Sequence, residues 1–393
     1  MKEQKLNKIC TVCSKSNLIT KLSLNDQPPA NRFIALNNIN SNEEKSELAL
    51  GYCLNCYTPQ LTQKLPRESI RPVYDWLKYN EPETHLDNVV AQIVPLSNLK
   101  KNDRIIGLSY KDQSTLNRLD IMGFSNSICL TNEEFDIFAS NPFQSLEKLK
   151  TPAKLIFARH VIEHADSATN LILQLKEFLD KDGYLILEIP TNEKVFKNFH
   201  YPFIWEEHVS YFNKESVQLL AKAAKAAVLW SKCYEYEYED SLVFALSFNS
   251  QISNNNSLHD KHHQSTLVLL EEFCRSFSDI KTQWQNYLQE LKSKNNSVAL
   301  FGAGHLSAKF INFFELEKYI DCVIDDHPNK VGLLMPGSKL PIKPSSELVN
   351  QKITHCFSTL SPESEQKVKV KLQPYLETGG HFISVFNTLI AHV

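Results

Sequence analysis

Two cysteine pairs, Cys10-Thr-Val-Cys13 and Cys53-Leu-Asn-Cys56, constrain this chain more than any other feature of its sequence. Two residues between paired cysteines let both thiolates turn toward one ion from a tight knuckle, and two knuckles supply the four ligands of a closed tetrahedral site. The segment from residue 1 to about 70 is poor in apolar residues and carries a Pro/Asn-rich stretch, LNDQPPANRF, between the pairs. A metal has to stand in there for a core. The expectation is one structural zinc ion on Cys10, Cys13, Cys53 and Cys56, with no open coordination position and therefore no catalysis. The chain has nine cysteines, only these four patterned, which fits a reducing compartment better than a disulfide framework.

The remaining residues read as α/β. At 393 residues the chain exceeds what one core usually supports. From about residue 100 to 247, short apolar runs (DRIIGLS, KLIFARH, YLILEIP, LVFALSF) alternate with helix-like stretches, the rhythm of a mostly parallel sheet. The polar, low-complexity stretch 249–264 reads as a linker. Leu267, Leu269, Leu270, Phe273 and Phe277 then recur at helical spacing in a helix running to about Leu291. A second α/β unit follows (SVALFGAG, YIDCVIDD, KITHCFS, GGHFISVF). The expected organisation is a zinc-binding module over 1–70, a Rossmann-like domain over 71–248 and a second Rossmann-like domain over 249–393. The formal charge of -3 argues against nucleic acid as the main partner. The first residues lack the apolar stretch of a secretory signal, and no apolar run approaches membrane-spanning length, so a cytoplasmic protein is expected.

Longer motifs narrow the reading. With QPPAN between the cysteine pairs, FARHVIEH at 157–164, LEIPTNE at 187–193, FIWEEHVSYF at 203–212, VIDDHPNKVG and MPGS, the chain resembles from end to end the bacterial C-methyltransferases that act on nucleotide-linked keto-deoxysugars. The resemblance implies a central domain of the S-adenosylmethionine methyltransferase fold and a C-terminal domain that helps hold the nucleotide-sugar. It implies that Glu207 and His208 remove a proton from the carbon beside a ketone. An imidazole titrating near neutrality can accept such a proton while a carboxylate orients it and stabilises the imidazolium. The family's tyrosine three positions before the histidine is Trp205 here, and an indole donates a hydrogen bond but cannot shuttle a proton.

The cofactor-binding motif departs from the family. The first strand of such a domain ends in an acid and a glycine-rich turn, yet here Gly107 stands for the acid, Ser109 for the first glycine and Gln113 for a later one, with only Asp112 in register. The second strand ends in Leu130 and Thr131 where an acid would take the ribose hydroxyls, Glu133 and Glu134 being the nearest replacements. His160, Glu163 and His164 keep the family's pattern along the same cleft. In the C-terminal unit, Gly302 and Gly304 form a strand-to-helix turn suited to an anionic group, with His305 at its mouth and a helix read from Lys309 onward. Asp325, Asn329 and Lys330 are candidate contacts to the nucleotide-sugar. Besides methyl transfer, two alternatives stand: a protein that keeps the sugar site but has lost the methyl donor, acting as an isomerase, epimerase or NAD-using enzyme, and a non-catalytic scaffold.

Overall fold

A computed structural model describes residues 9–63, 65, 67–70, 73, 74, 76, 77, 81–131, 133–135, 149–249 and 263–387. Most of the 249–264 segment, read above as a linker, lies outside the described residues. An N-terminal antiparallel sheet runs in the order β1 (Leu18–Gln27), β2 (Ser46–Cys53), β3 (Pro59–Leu61). Its inward residues build no private core. Leu22, Leu24, Leu48 and Leu50 join a cluster that includes Phe273, Phe310 and Phe314, while Cys10, Val12, Cys53 and Cys56 pack with Ile156, Leu187 and Phe212. The module read as depending on metal alone is instead wedged between the other two parts, which supply the apolar surface it lacks.

The helix α1 (Leu86–Leu96) leads into a six-stranded sheet made by β4 (Ile105–Gly107), β5 (Ser127–Cys129), β6 (Ala153–Arg159), β7 (Leu179–Thr191), β8 (Ala227–Tyr234) and β9 (Asp240–Ser247), in the order β5-β4-β6-β7-β9-β8. The first four pair in parallel and β9 pairs antiparallel to both β7 and β8. The apolar runs LIFA and LILEI read as near-continuous because helices cover both faces of a parallel sheet. Among those helices are α2 (Gln113–Ile121), which follows the β4 turn, and α3 (Ala168–Lys176). The predicted C-terminal unit is a five-stranded, all-parallel sheet of β10 (Val298–Phe301), β11 (Cys322–Ile324), β12 (Ile342–Lys343), β13 (His355–Ser358) and β14 (His381–Ser384), ordered β12-β11-β10-β13-β14. Its first helix, which we call α5, spans His305–Phe314 and so starts four residues before the predicted Lys309. None of the described helices is long and apolar enough to cross a membrane.

Joining the parts is α4 (His263–Ser293), a helix of 31 residues and thus roughly 46 Å. Its Phe273 stacks on Tyr201 with ring centroids 4.1 Å apart, and its Trp284 meets Phe310 and Phe357 edge-on at 4.8 and 5.8 Å. On the N-terminal side, its Glu271 accepts from Lys21 at 3.0 Å. The strongest bond between the parts is ionic. Lys309 of α5, fully buried, places Nζ 2.6 Å from Glu206 Oε2, also buried, and donates to the Pro28 carbonyl at 3.2 Å. The other carboxylate oxygen of Glu206 accepts the Ala30 backbone N–H. One ion pair therefore fastens the QPPAN loop, the loop of Glu206 and the helix of the C-terminal sheet.

Removing one member of such a pair leaves a buried charge unpaired. Lys309→Ala is expected to cost about 3–5 kcal/mol in urea denaturation, whereas Glu206→Leu combined with Lys309→Met recovers most of that loss. A single substitution costing less than about 1 kcal/mol would show that water reaches the pair.

Candidate active site

The four predicted zinc ligands converge. Their Sγ atoms all lie within 4.8 Å of one another, with Cys10 and Cys56 at 3.4 Å and Cys13 and Cys53 at 3.5 Å, and all four are free thiols. These separations are far too long for disulfides and suit thiolates around one ion. The N–H groups of Val12 and Cys13 point at Cys10 Sγ and that of Asn55 at Cys53 Sγ, all at 3.4 Å, as expected of knuckles built to carry negative sulfur. The residues fit a structural zinc ion, which Cys10, Cys13, Cys53 and Cys56 would hold with no position left for a substrate.

The knuckle also reaches the predicted base. Gln60 of β3 donates through Nε2 to Cys10 Sγ at 3.2 Å and accepts the Thr11 N–H through Oε1 at 3.1 Å. Thr11 Oγ1 bonds to Ser210 Oγ at 2.7 Å. The segment Val209–Tyr211 then pairs with β3, because Leu61 N–H donates to Val209 O and Tyr211 N–H to Pro59 O, both at 2.9 Å. On its other side, Val209 and Ser210 both donate to the carbonyl of Glu163, at 2.7 and 3.1 Å. The loop carrying His208 is thereby clamped between the zinc module and the turn after β6.

At that clamp, rings from three segments meet. The His164 and His208 rings lie edge to face with centroids 4.8 Å apart, and Trp205 lies 5.1 Å from His208. Trp205 stacks on His305, the first residue of α5, at 4.1 Å and 22°. The indole that replaces the family's phenol thus ties the middle loop to the C-terminal helix. Tyr211 does not substitute for that phenol, since its hydroxyl is the acceptor for the buried Trp205 backbone N–H at 3.2 Å. His164 Nδ1 lies 2.9 Å from the Glu207 carbonyl, which can only accept, so Nδ1 carries the proton when the ring is neutral. Nε2 then faces the buried Glu163 carboxylate, 4.0 Å away. Ligating atoms of Glu163, His164 and His208 lie within 4.8 Å of one another.

The environment fixes protonation. Burial lowers His208 well below the usual imidazole range, with His164, Lys111, His305 and His160 adding to the effect. Burial likewise takes His164 down to about 4 and His305 down to about 3. All three rings are neutral at neutral pH. Burial, reinforced by Glu206, pushes Glu207 up to about 8. Its Oε1 accepts from Asn31 Nδ2 at 3.1 Å, so the side chain sits against the QPPAN loop. Sequence reasoning expected Glu207 to orient His208; in the structure its carboxyl meets Asn31, and its surroundings favour the protonated form.

The predicted cofactor cleft is arranged differently. At the end of β4, a Cβ on Gly107 would lie 2.8 Å from Asp112 Cβ and 3.0 Å from Leu116. Asp112, fully buried, spends its carboxylate on the Ser109 and Arg159 N–H groups, at 2.9 and 3.0 Å. Arg159 donates to Glu188 at 2.6 Å, to the Lys111 carbonyl at 2.6 Å and to the Pro82 carbonyl at 3.2 Å. Lys111 Nζ meets Glu81 at 2.7 Å. Burial opposes charge on His160, but Glu81, Glu163 and Glu188 outweigh it and raise the imidazole to about 10. At the end of β5, Leu130 is buried, and Glu134 accepts the Thr131 N–H at 2.9 Å as a local cap. These residues do not fit S-adenosylmethionine in the usual way: among the described residues the end of β4 carries no acid for its ammonium, Glu134 near the end of β5 takes the Thr131 N–H with Glu133 exposed beside it, and the Ser109, Lys111 and Asp112 N–H groups of the turn are bonded within it.

In the C-terminal unit, Gly302 takes φ +100, where an added Cβ would press on Leu360 at 2.8 Å, so glycine is required. Asp325 closes the turn: its carboxylate accepts the Ala303 N–H, the His327 N–H and Lys330 Nζ, each at 2.9 Å. Asn329 is exposed. A cavity of about 80 Å³ lined by Phe199, His200, Trp284 and Phe386 among others opens between the middle and C-terminal parts, and none of its lining residues belongs to the ring cluster. Sequence reasoning missed Arg159, Glu188, Lys111 and Glu81, although a glutamate inside the apolar run LILEI and an arginine ending LIFAR were the available signals. It also missed Asn31, Gln60, Glu206 and Lys309, which only long-range packing brings to the site.

Three family models match the chain in order: a zinc binding domain over residues 10–70, a methyltransferase domain over 94–229 and a C-methyltransferase C-terminal domain over 249–386. The C-methyltransferase NovU of Streptomyces niveus is 22% identical over 238 residues, covering 59% of this chain and 56% of that protein, so the chain spans little more than half of that relative's length. Among solved structures, an S-adenosylmethionine-dependent methyltransferase from Clostridium acetobutylicum is 12% identical with a TM-score of 0.33, over 44% of this chain and 94% of that one. The CcbJ methyltransferase from Streptomyces caelestis is 10% identical with a TM-score of 0.30, over 43% and 92%. Scores that low carry no argument here.

Two outcomes follow from the site. Purified protein is expected to hold one zinc per chain by elemental analysis, and Cys53→Ser or chelation is expected to lower the melting temperature by more than about 5 °C; full stability without zinc would exclude a structural role. Glu207 holds its proton up to about 8 in the folded chain and loses it near 4.5 when unfolded, so between those values folding takes up a proton and stability falls as pH rises. Glu207→Gln has no such proton to lose, and its melting temperature relative to wild type is expected to rise across that window. Parallel curves would mean an ionised Glu207.

Proposed function

We propose, for a chain that belongs by its three matched domains to the C-methyltransferases, that its substrate is a nucleotide-linked keto-deoxysugar held between the middle and C-terminal domains, and that His208 removes the proton from the carbon beside the ketone. The observation that carries this reading is the meeting of His164, Trp205, His208 and His305 at the junction of those domains. A neutral His208 can accept a proton there, and Glu207, protonated at neutral pH, is an acid within the same loop. An acid and a base whose environments push their protonation in opposite directions make a pair suited to enolisation.

The resemblance supplies the substrate class. Trp205, stacked on His305, packs beside the base, and the clamp on the 209–211 segment fixes the base without cost at the moment of reaction. Zinc has no chemical role in this scheme; its ligands hold Gln60 and, through Thr11, Ser210.

The test is deuterium wash-in. A thymidine-diphosphate-linked keto-deoxyhexose incubated with the protein in heavy water is expected to gain deuterium beside the ketone, followed by mass spectrometry. His208→Ala should slow the gain by about 10²-fold or more while leaving the melting temperature near that of wild type. Equal rates in the two proteins would remove His208 from the reaction.

A further inference from the structure

In this fold the methyl donor lies across the carboxyl ends of the first two strands, here β4 and β5. S-adenosylmethionine brings two positive centres to that edge, its ammonium and its sulfonium, and a site that binds it needs acids and open backbone. This edge has the opposite character. Gly107 offers no carboxylate, and the space a side chain would need there is taken by Asp112. Asp112 is turned inward onto two N–H groups. Lys111 at the centre of the turn and the buried Arg159 beneath it are paired with Glu81 and Glu188. Arg159 ties the turn shut through the Lys111 carbonyl and reaches across to the Pro82 carbonyl. The end of β5 is capped by the buried Leu130 and by the Thr131–Glu134 turn, so that Glu134, an acid near this strand end among the described residues, is spent on the Thr131 N–H.

We infer that this chain enolises its keto-sugar without a methyl donor, returning a proton to the sugar where its relatives would place a methyl group, so that its net activity is isomerisation through the enol. The inference rests on the base assigned above. The step balances with no co-reactant. His208 takes the proton from the carbon beside the ketone, the electrons of that C–H bond form the carbon–carbon double bond, and the carbonyl oxygen takes the proton of Glu207. The products are the enol, an imidazolium and a carboxylate. Reversal returns the His208 proton to the same carbon from either face and restores both side chains, giving the exchanged or epimerised ketone; where that carbon bears a hydroxyl, its proton passes to Glu207 while His208 protonates the former carbonyl carbon, giving the shifted ketone. Lys111 and His160 oppose protonation of His208 at rest, which keeps the ring ready to accept the proton.

Three measurements on the full-length, zinc-loaded protein decide it. S-adenosylmethionine and S-adenosylhomocysteine are titrated separately by calorimetry up to about 1 mM, and neither is expected to give saturable heat. The thymidine-diphosphate-linked keto-deoxyhexose is incubated in heavy water with and without S-adenosylmethionine carrying an isotope-labelled methyl group. Deuterium gain at an equal rate in both, a ketone isomer separable by chromatography and no labelled methyl in the sugar support the inference. Micromolar binding of either cofactor form, or labelled methyl in the product, overturns it while leaving His208 as base wherever His208→Ala abolishes the reaction. Absence of both heat and deuterium gain overturns it too, and in that case the base assignment falls with it. As a check on the cleft, Arg159→Ala is expected to weaken the closure, measured as faster hydrogen exchange at the Ser109–Asp112 turn. Unchanged exchange in a folded variant would show that Arg159 does not hold the turn.

Discussion

The buried pair between Glu206 and Lys309 is the interaction on which the arrangement of the molecule depends. Each partner comes from a different sheet-bearing part, and the carboxylate also accepts from Ala30 in the loop between the cysteine pairs. Two charges withdrawn from water are tolerable only when geometry is close and the remaining valences are satisfied. That requirement turns one contact into a statement about three segments: if any moves, a charge is stranded. The long helix and its aromatic contacts supply apolar area, but area alone is permissive, whereas this pair fixes which surfaces meet.

From that junction follows the placement of the His208 loop. The residue before Glu207 is the anchor, and the residues after His208 form the clamp against β3 and the Glu163 carbonyl. The loop of His208 is therefore held at both ends by backbone and by a buried charge, with Gln60 extending the support to Cys10. A metal site with no open position thereby bears on chemistry at a distance, through the mechanical stiffness of a knuckle.

Electrostatics divides the middle domain. At the ring cluster, burial lowers three imidazoles, with neighbouring cations adding to the effect, while burial and Glu206 raise Glu207 against the same cations. A few residues away, Arg159, His160 and Lys111 stay charged because each faces a carboxylate. The second group fills the carboxyl edge of the sheet with paired ions.

The sequence by itself determined the zinc ligands, the eight principal strands and the long helix. Cysteine spacing and apolar periodicity are local signals, and local geometry enforces them. It also marked the cofactor turn as abnormal, since missing acids and glycines are visible residue by residue. Only the tertiary structure decided that the N-terminal module shares cores with both neighbours, that Glu207 turns to Asn31, that Trp205 packs on His305 and that Asp112 folds inward against Arg159. Each of these joins residues distant in the chain, and a side chain's protonation or partner is set by what burial brings beside it, which no spacing along the sequence records.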